Sequence, residues 1–323
     1  MAAERTGWLA AGLAPNPARA GFRGCGRLTH ALGGPARWGG AGLAAAAFWL
    51  ALAGPAPASA NKHYSPEWNT KCAMGVEMTE GCAAVLARTI VDAASYPWSA
   101  IGKINFTGYG IHANCTGALI GERLVLTAAH CFYVRRAGKW IDAPNVHFLA
   151  GYQRGAYVGH STAIRYVVSK AFPEEDWALV ELRDPIGLRA GYLGWTVLDG
   201  AALERALRSG ARVALAGYPK VRRHVMSVDM ECKGPHFRHG QALFVHRCAD
   251  MEGDSGDPLL LLRGGTATIV AVNSGGLAGV DEVVSVAFPV ATFYTAILDM
   301  LGGGRSAKDR DGLAGLPGRP PDP

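Results

Sequence analysis

Three residues of this chain could together attack a carbonyl: Ser255, His130 and Asp176. Ser255 lies in Gly253-Asp254-Ser255-Gly256-Asp257-Pro258, a hydroxyl flanked by glycines with a proline closing the turn. A serine hydroxyl is a weak nucleophile until a base takes its proton and a third group orients that base. Candidates for both are present. His130 stands in Leu126-Thr127-Ala128-Ala129-His130-Cys131, and Asp176 opens the run Asp176-Trp177-Ala178-Leu179-Val180-Glu181-Leu182. In such a set the imidazole would take the serine proton during attack and return it to the leaving group, while the carboxylate would hold the imidazole in the accepting tautomer. The backbone N–H groups of Gly253 and Ser255 would face the developing oxyanion, where one such donor contributes about 2.7–4 kcal/mol. Gly253 suits a loop that a side chain would crowd, and Gly256 one that needs an unusual φ. Taken singly, each residue has a plainer reading as a turn serine, a solvated histidine or a capping aspartate. Their joint occurrence is what points to nucleophilic catalysis.

The elements that must position these residues are short strands. Ser99 to Phe106 nearly alternates apolar and polar residues, and Cys115 to Ile120 and Leu124 to Leu126 follow around Gly121-Glu122-Arg123, with His130 just beyond. Similar runs recur near Val146–Ala150, Ser161–Val168 and Trp177–Leu182. A second set comprises Arg212–Gly217, Val225–Met230, Gln241–His246, Leu259–Leu262, Thr268–Asn273 and Val283–Ala287. Short strands separated by Gly, Pro and charged turns favour an antiparallel barrel or sandwich over alternating βα units. Ala201 to Arg208 has room for a helical turn or two, and Val290 to Leu301 has helical spacing and would close the domain.

The chain resembles the trypsin-like (chymotrypsin-fold) serine endopeptidases, and more closely the secreted bacterial members near the glutamyl-endopeptidase-like branch. The likeness runs from Thr89 to Leu301 through the motifs TAAHC, DWALVEL and GDSGDP. It implies an all-β fold of two antiparallel six-stranded β-barrels with a C-terminal helix, the first over residues 89–190 and the second over 191–302. His130 and Asp176 would come from the first and Ser255 from the second. It further implies an acyl-enzyme mechanism, protein or peptide substrates, and pocket walls from Ala249, Asp250, Asn273, Ser274 and Gly275. The rival reading is a catalytically idle protein of the same fold that only binds.

Three departures from the family pattern stand out. The residue six before the serine, where trypsin carries an aspartate, is Ala249, with Asp250 beside it. Asp257 replaces the usual small residue two after the serine. Arg88 followed by Thr89-Ile90-Val91 resembles a cleavage site whose new amine would pair with Asp254, although Asp92-Ala93 stands where glycines are usual.

Composition limits the remaining possibilities. Residues 1–60 carry five Arg and one Glu, and residues 303–323 four basic and three acidic groups, which leaves 23 basic against 22 acidic between them. The net charge of +6 therefore lies mostly in the leader, and nucleic-acid binding is not expected. Ala41 to Gly54 is an apolar run followed by Ala58-Ser59-Ala60, which reads as a signal peptide cut after Ala60 and an exported, secreted or periplasmic protein. The run is short of the roughly 20 residues a membrane span needs, so no stable anchor is expected. Residues 61–88 read as a pro-segment or extension, 303–323 as a disordered tail, and the folded part as a monomer.

Beyond the leader's Cys25, six cysteines remain, and an even number in an exported chain suggests disulfides. Sequence neighbours suggest Cys72 with Cys82, Cys115 with Cys131 and Cys232 with Cys248, though six cysteines leave the connectivity open. The family likeness supports Cys115 with Cys131. No phosphate loop or CxxC pattern occurs, and His236, His239 and His246 lack neighbouring carboxylate ligands. Neither metal nor cofactor is expected.

Overall fold

The computed structural model describes residues 80–107, 114–238, 240, 242–278, 283–302 and 318–321. It begins with α1 (Glu80–Leu86) and a two-residue strand β1 (Thr89–Ile90). Six strands then close a barrel: β2 (Ile101–Phe106), β3 (Cys115–Leu119), β4 (Leu124–Thr127), β7 (Val146–Ala150), β8 (Gly159–Val168) and β9 (Ala178–Leu182). Their order around the ring is β2-β3-β4-β9-β8-β7, every ladder antiparallel, with β2 meeting β7 at Ile104↔Phe148 to complete it. The small hairpin β5 (Tyr133–Val134) and β6 (Lys139–Trp140) projects between β4 and β7. Alternation in Val146–Ala150 appears directly as alternating burial, which turns Phe148 into a core with Ile101, Leu119, Leu126, Phe132 and Leu179.

After the short helix α2 (Gly187–Ala190), β10 (Gly194–Trp195) and α3 (Gly200–Arg208), seven strands build the second half. They are β11 (Arg212–Gly217), β12 (Ser227–Asp229), β13 (Lys233–Arg238), β14 (Leu243–Arg247), β15 (Pro258–Arg263), β16 (Thr266–Ala278) and β17 (Val283–Pro289). The Asp199 carboxylate caps α3 by accepting from the Ala202 N–H at 2.6 Å. The expected second barrel is a curled sheet in the order β1-β12-β11-β15-β16-β17-β14-β13. The run from β12 to β14 supplies six strands. Among the described residues β1 and β13 continue the path at its two ends, and no ladder joins those ends. The C-terminal helix α4 (Val290–Gly302) lies back against the first barrel, where Phe293 meets the Trp177 ring at 5.7 Å. That contact braces the start of β9, directly beside Asp176.

Several boundaries differ from the expectation. Thr89–Ile90 pairs with Ser227–Val228 and so belongs to the second sheet, not to a first barrel beginning at residue 89, because Arg88 is held from that side. The stretch before it, which shows no periodicity in sequence, ends in the helix α1. Lys233–Arg238, unassigned in sequence, is an edge strand. Of the tail expected to be disordered, residues 318–321 dock: Arg319 and Tyr192 exchange two backbone hydrogen bonds of 2.8 Å. The leader and the Cys72–Cys82 pairing lie outside the described residues.

Cys115–Cys131 and Cys232–Cys248 are both bonded, each spanning 16 residues. Closing a loop of this length stabilises by about 3 kcal/mol in the chain-entropy model. Replacing either pair by alanine should therefore lower the urea-unfolding free energy by a similar amount. Only loss of the first pair should also impair the turn that bears His130, which would appear as a larger drop in activity than in stability.

Candidate active site

The β4 strand ends at Thr127 and the chain tightens into a 3-10 turn, Ala129–Phe132, that presents His130 half-buried while Cys131 ties the turn to β3. Asp176 enters from the residue pair before β9 and is buried. Its Oδ2 lies 2.5 Å from His130 Nδ1, and its Oδ1 accepts the His130 backbone N–H at 2.7 Å. The Ser274 hydroxyl also donates to Oδ2. Burial alone would raise the Asp176 carboxyl, but the His130 hydrogen bond and charge, with the Ser274 hydroxyl, outweigh it and hold the group below the ordinary carboxylate value. The aspartate therefore favours its ionised form, with its charge aimed at one ring nitrogen of His130.

Ser255 sits in the loop preceding β15, and both halves of the molecule hold that loop. From the first barrel, the Thr116 N–H donates to the Ser255 carbonyl at 2.9 Å and the Thr116 hydroxyl to the Gly253 carbonyl at 3.2 Å. From the second, the Gly256 N–H donates to the Asn273 carbonyl at 2.8 Å. Gly253 and Gly256 take φ of 105° and 83°, and a Cβ on Gly256 would fall 2.2 Å from the Thr116 carbonyl oxygen. The motif's glycines are thus required by backbone conformation and close approach. Among the described residues the Gly253 and Ser255 amides have no backbone acceptor, which leaves both N–H groups available to an oxygen outside the fold. Ser255, Gly253 and His130 share the lining of one cavity of about 320 Å³, with Arg135, Arg136 and Glu252 at its wall. Ser255 and His130 thus face one cavity beside two amides without a backbone acceptor among the described residues.

The residues expected to form a pocket are distributed differently. Ala249 and Asp250 line a separate cavity of about 790 Å³ with Arg88, Thr89, Cys248 and Ser285, to which Ser255 and His130 do not contribute. The Asp250 carboxylate is occupied, accepting the Ser285 hydroxyl at 2.6 Å and the Asn273 side-chain amide at 3.2 Å. The Asn273 oxygen in turn faces Nε2 of the fully buried His246 at 3.1 Å. Burial pushes the His246 imidazole below its ordinary value, against the opposing pull of Asp250, Asn273 and Asp229. Ser274, read in sequence as a pocket wall, turns its hydroxyl to Asp176, and Gly275 follows it in β16.

Cys115, Cys131 and His130 bring potential ligand atoms within 4.8 Å of one another, but both sulfurs are in the disulfide, leaving a single imidazole. His236 is exposed and its ring meets the Gly234 carbonyl, while His239 lies outside the described residues. Among the described residues no helix is long and apolar enough to cross a membrane.

Three functional contacts carry no signal in sequence: Thr116 on the nucleophile loop, Ser274 on Asp176, and Arg88 on Asp254. The last is an ion pair of 2.8 Å between side chains 1% and 0% exposed. The sequence around Arg88 resembles a cleavage site whose new amine would pair with Asp254; in the uncut chain the Arg88 guanidinium holds that carboxylate.

A family model described as Trypsin matches residues 88–297. A glutamyl endopeptidase of Bacillus licheniformis is 27% identical over 135 residues, 40% of this chain and 39% of that protein. A CLIP domain-containing serine protease B14 of Anopheles gambiae is 35% identical over 49 residues, 15% of this chain and 13% of that protein. The matched stretches thus span 39% or less of these curated relatives. A solved structure of a Glu endopeptidase in complex with MPD aligns with a TM-score of 0.51, covering 65% of this chain and 95% of that one at 20% identity, a likeness of fold.

Proposed function

The chain belongs to the trypsin family, and on that premise we propose that it is an exported serine endopeptidase acting on proteins or peptides through an acyl-enzyme. Ser255 attacks the scissile carbonyl, and His130 accepts the hydroxyl proton and delivers it to the leaving amine. Asp176 fixes the ring with Nδ1–H toward itself and stabilises the imidazolium that forms. The Gly253 and Ser255 amides receive the oxyanion. Water, activated by the same imidazole, then releases the acyl group and restores the serine. The observation that carries this reading is the Asp176-held His130 sharing one cavity with Ser255. Export is supported by two bonded disulfides, which persist in oxidising compartments.

The test is digestion of an unbiased peptide library and of a folded protein substrate, with products read by mass spectrometry. The expected result is internal cleavage that disappears in Ser255→Ala, and the library reads out side-chain preference directly. If the wild-type protein binds peptides and leaves them intact, the peptidase reading fails in favour of an idle binding protein.

A further inference from the structure

Arg88 and Asp257 are buried charged residues that the mechanism above does not use. The Arg88 guanidinium donates from Nη1 to Asp254 Oδ2 at 2.8 Å and to the Ala249 carbonyl at 3.4 Å, and from Nη2 to the Ser227 carbonyl. Nη2 also lies 3.8 Å from Asp257 Oδ2. Asp254 Oδ2 accepts the Met251 N–H at 3.0 Å, so one oxygen ties the cation to the backbone just before Gly253. Arg88 is itself held. Its carbonyl accepts from Arg222 Nη1 at 3.0 Å, Arg222 Nη2 donates to the Leu86 carbonyl, and the next two residues are laddered to β12. Room for Asp257 is made by Gly217, where a Cβ would fall 1.8 Å from the carboxylate.

We infer that Arg88 is the positioning residue of the nucleophile loop: its guanidinium, anchored within the uncut chain, is the buried cation on Asp254 that sets the Gly253 and Ser255 amides. This inference rests on the peptidase reading and deepens it. A buried carboxylate without a countercharge is strongly unfavourable, so the loop needs a cation to keep Asp254 inward. Here that cation comes from a side chain, and cutting the chain before Thr89 would detach the residue carrying it. The bond that would be cut is also poorly placed for attack, since Arg88 is buried and the strand after it is hydrogen-bonded. Asp257, the residue that departs from the family pattern, is the cation's second neighbour. Burial and the nearby Asp254 keep its carboxyl well above the ordinary carboxylate value, against the pull of Arg88. Burial raises the Asp254 carboxyl as well, against the pull of Arg88, and the cation's shorter contact, 2.8 Å against 3.8 Å, is to Asp254.

The experiment compares the exported wild-type protein with Arg88→Gln, Arg88→Lys and Ser255→Ala, measuring kcat and KM on a peptide found cleaved in the library. N-terminal sequencing is done on the active wild-type fraction. The expected active chain begins upstream of Arg88 and retains it. Arg88→Gln should lose about 10²–10³-fold in kcat, the range seen on losing one oxyanion donor, with KM within about threefold. Arg88→Lys, which keeps the charge, should recover activity to within about tenfold of wild type. An active fraction beginning at Thr89 or later overturns the inference even if Arg88→Gln fails to fold. So does Arg88→Gln turning over at the wild-type rate. Wild-type protein with no turnover above Ser255→Ala overturns the peptidase reading and this inference together, so the two failures are told apart.

Discussion

Asp176→Asn is expected to lower kcat by about 10⁴-fold while leaving the fold intact. The carboxylate accepts three hydrogen bonds, from the His130 ring, the His130 backbone N–H and the Ser274 hydroxyl. An amide of the same shape cannot accept all three. If its NH2 faces Nδ1, the imidazole must keep its proton on the nitrogen nearer Ser255, where it can no longer act as a base. The Asp176 carboxyl is held below the ordinary carboxylate value, so its orienting charge persists through mildly acidic pH. The folding stability that Asp176 confers is present above its unfolded value of about 4 and is lost as pH falls through the lower folded value. Single-turnover kinetics with circular dichroism on the same samples check the prediction. A loss of less than tenfold would mean that Asp176 does not set the tautomer.

Asp254→Asn and Asp257→Asn should act in opposite directions, although the two carboxylates are three residues apart in one loop. Asp254→Asn leaves the Arg88 guanidinium buried without its countercharge, and breaking a buried pair in this way costs about 3–5 kcal/mol. Asp257→Asn replaces a carboxyl whose protonated form burial favours by a neutral amide of the same shape. Because the folded value of Asp257 is raised, its contribution to stability is complete below the unfolded value of about 4 and declines as pH rises toward the folded value. The wild-type protein should therefore lose stability from acid toward neutral pH through this group. Asp257→Asn should flatten that decline and equal or exceed the wild type at neutral pH. Thermal unfolding from pH 4 to pH 8 decides the matter. Equal destabilisation by both substitutions would contradict the charge assignment.

The parts of the site legible in sequence are those whose geometry is local. Ser255 lies in a glycine-flanked turn in which Gly256 is read as needing an unusual φ, His130 follows a buried strand beside a cysteine, and Asp176 precedes another strand. Each could be read from half a dozen neighbours. The partner of Asp254 could not, because Arg88 is 166 residues away and its pairing depends on α1 and β1 reaching the second sheet. In sequence, Arg88 before Thr89-Ile90-Val91 suggests a cut site, and only the fold turns its side chain inward. Ser274 is legible as part of the cleft, but its hydroxyl turns to Asp176 where the β16–β17 register shifts between Asn273 and Gly275, which neighbouring residues do not signal. Lys233–Arg238 gives no strand signal in sequence because an edge strand paired on one side needs no apolar alternation, and its polar residues face solvent. Six of the seven strands β11–β17 coincide with runs legible in sequence. The extension of that sheet by Thr89–Ile90 is not legible there, since two residues carry no periodicity.

A nucleophile activated by His130 makes Ser255 open to covalent trapping. The most direct test treats the exported protein with a fluorophosphonate probe and maps the adduct by peptide mass spectrometry. The expected result is one adduct per chain, on Ser255, absent from Ser255→Ala and slowed by orders of magnitude in His130→Ala. A folded wild-type protein that stays unlabelled, or one labelled at another residue, would contradict it.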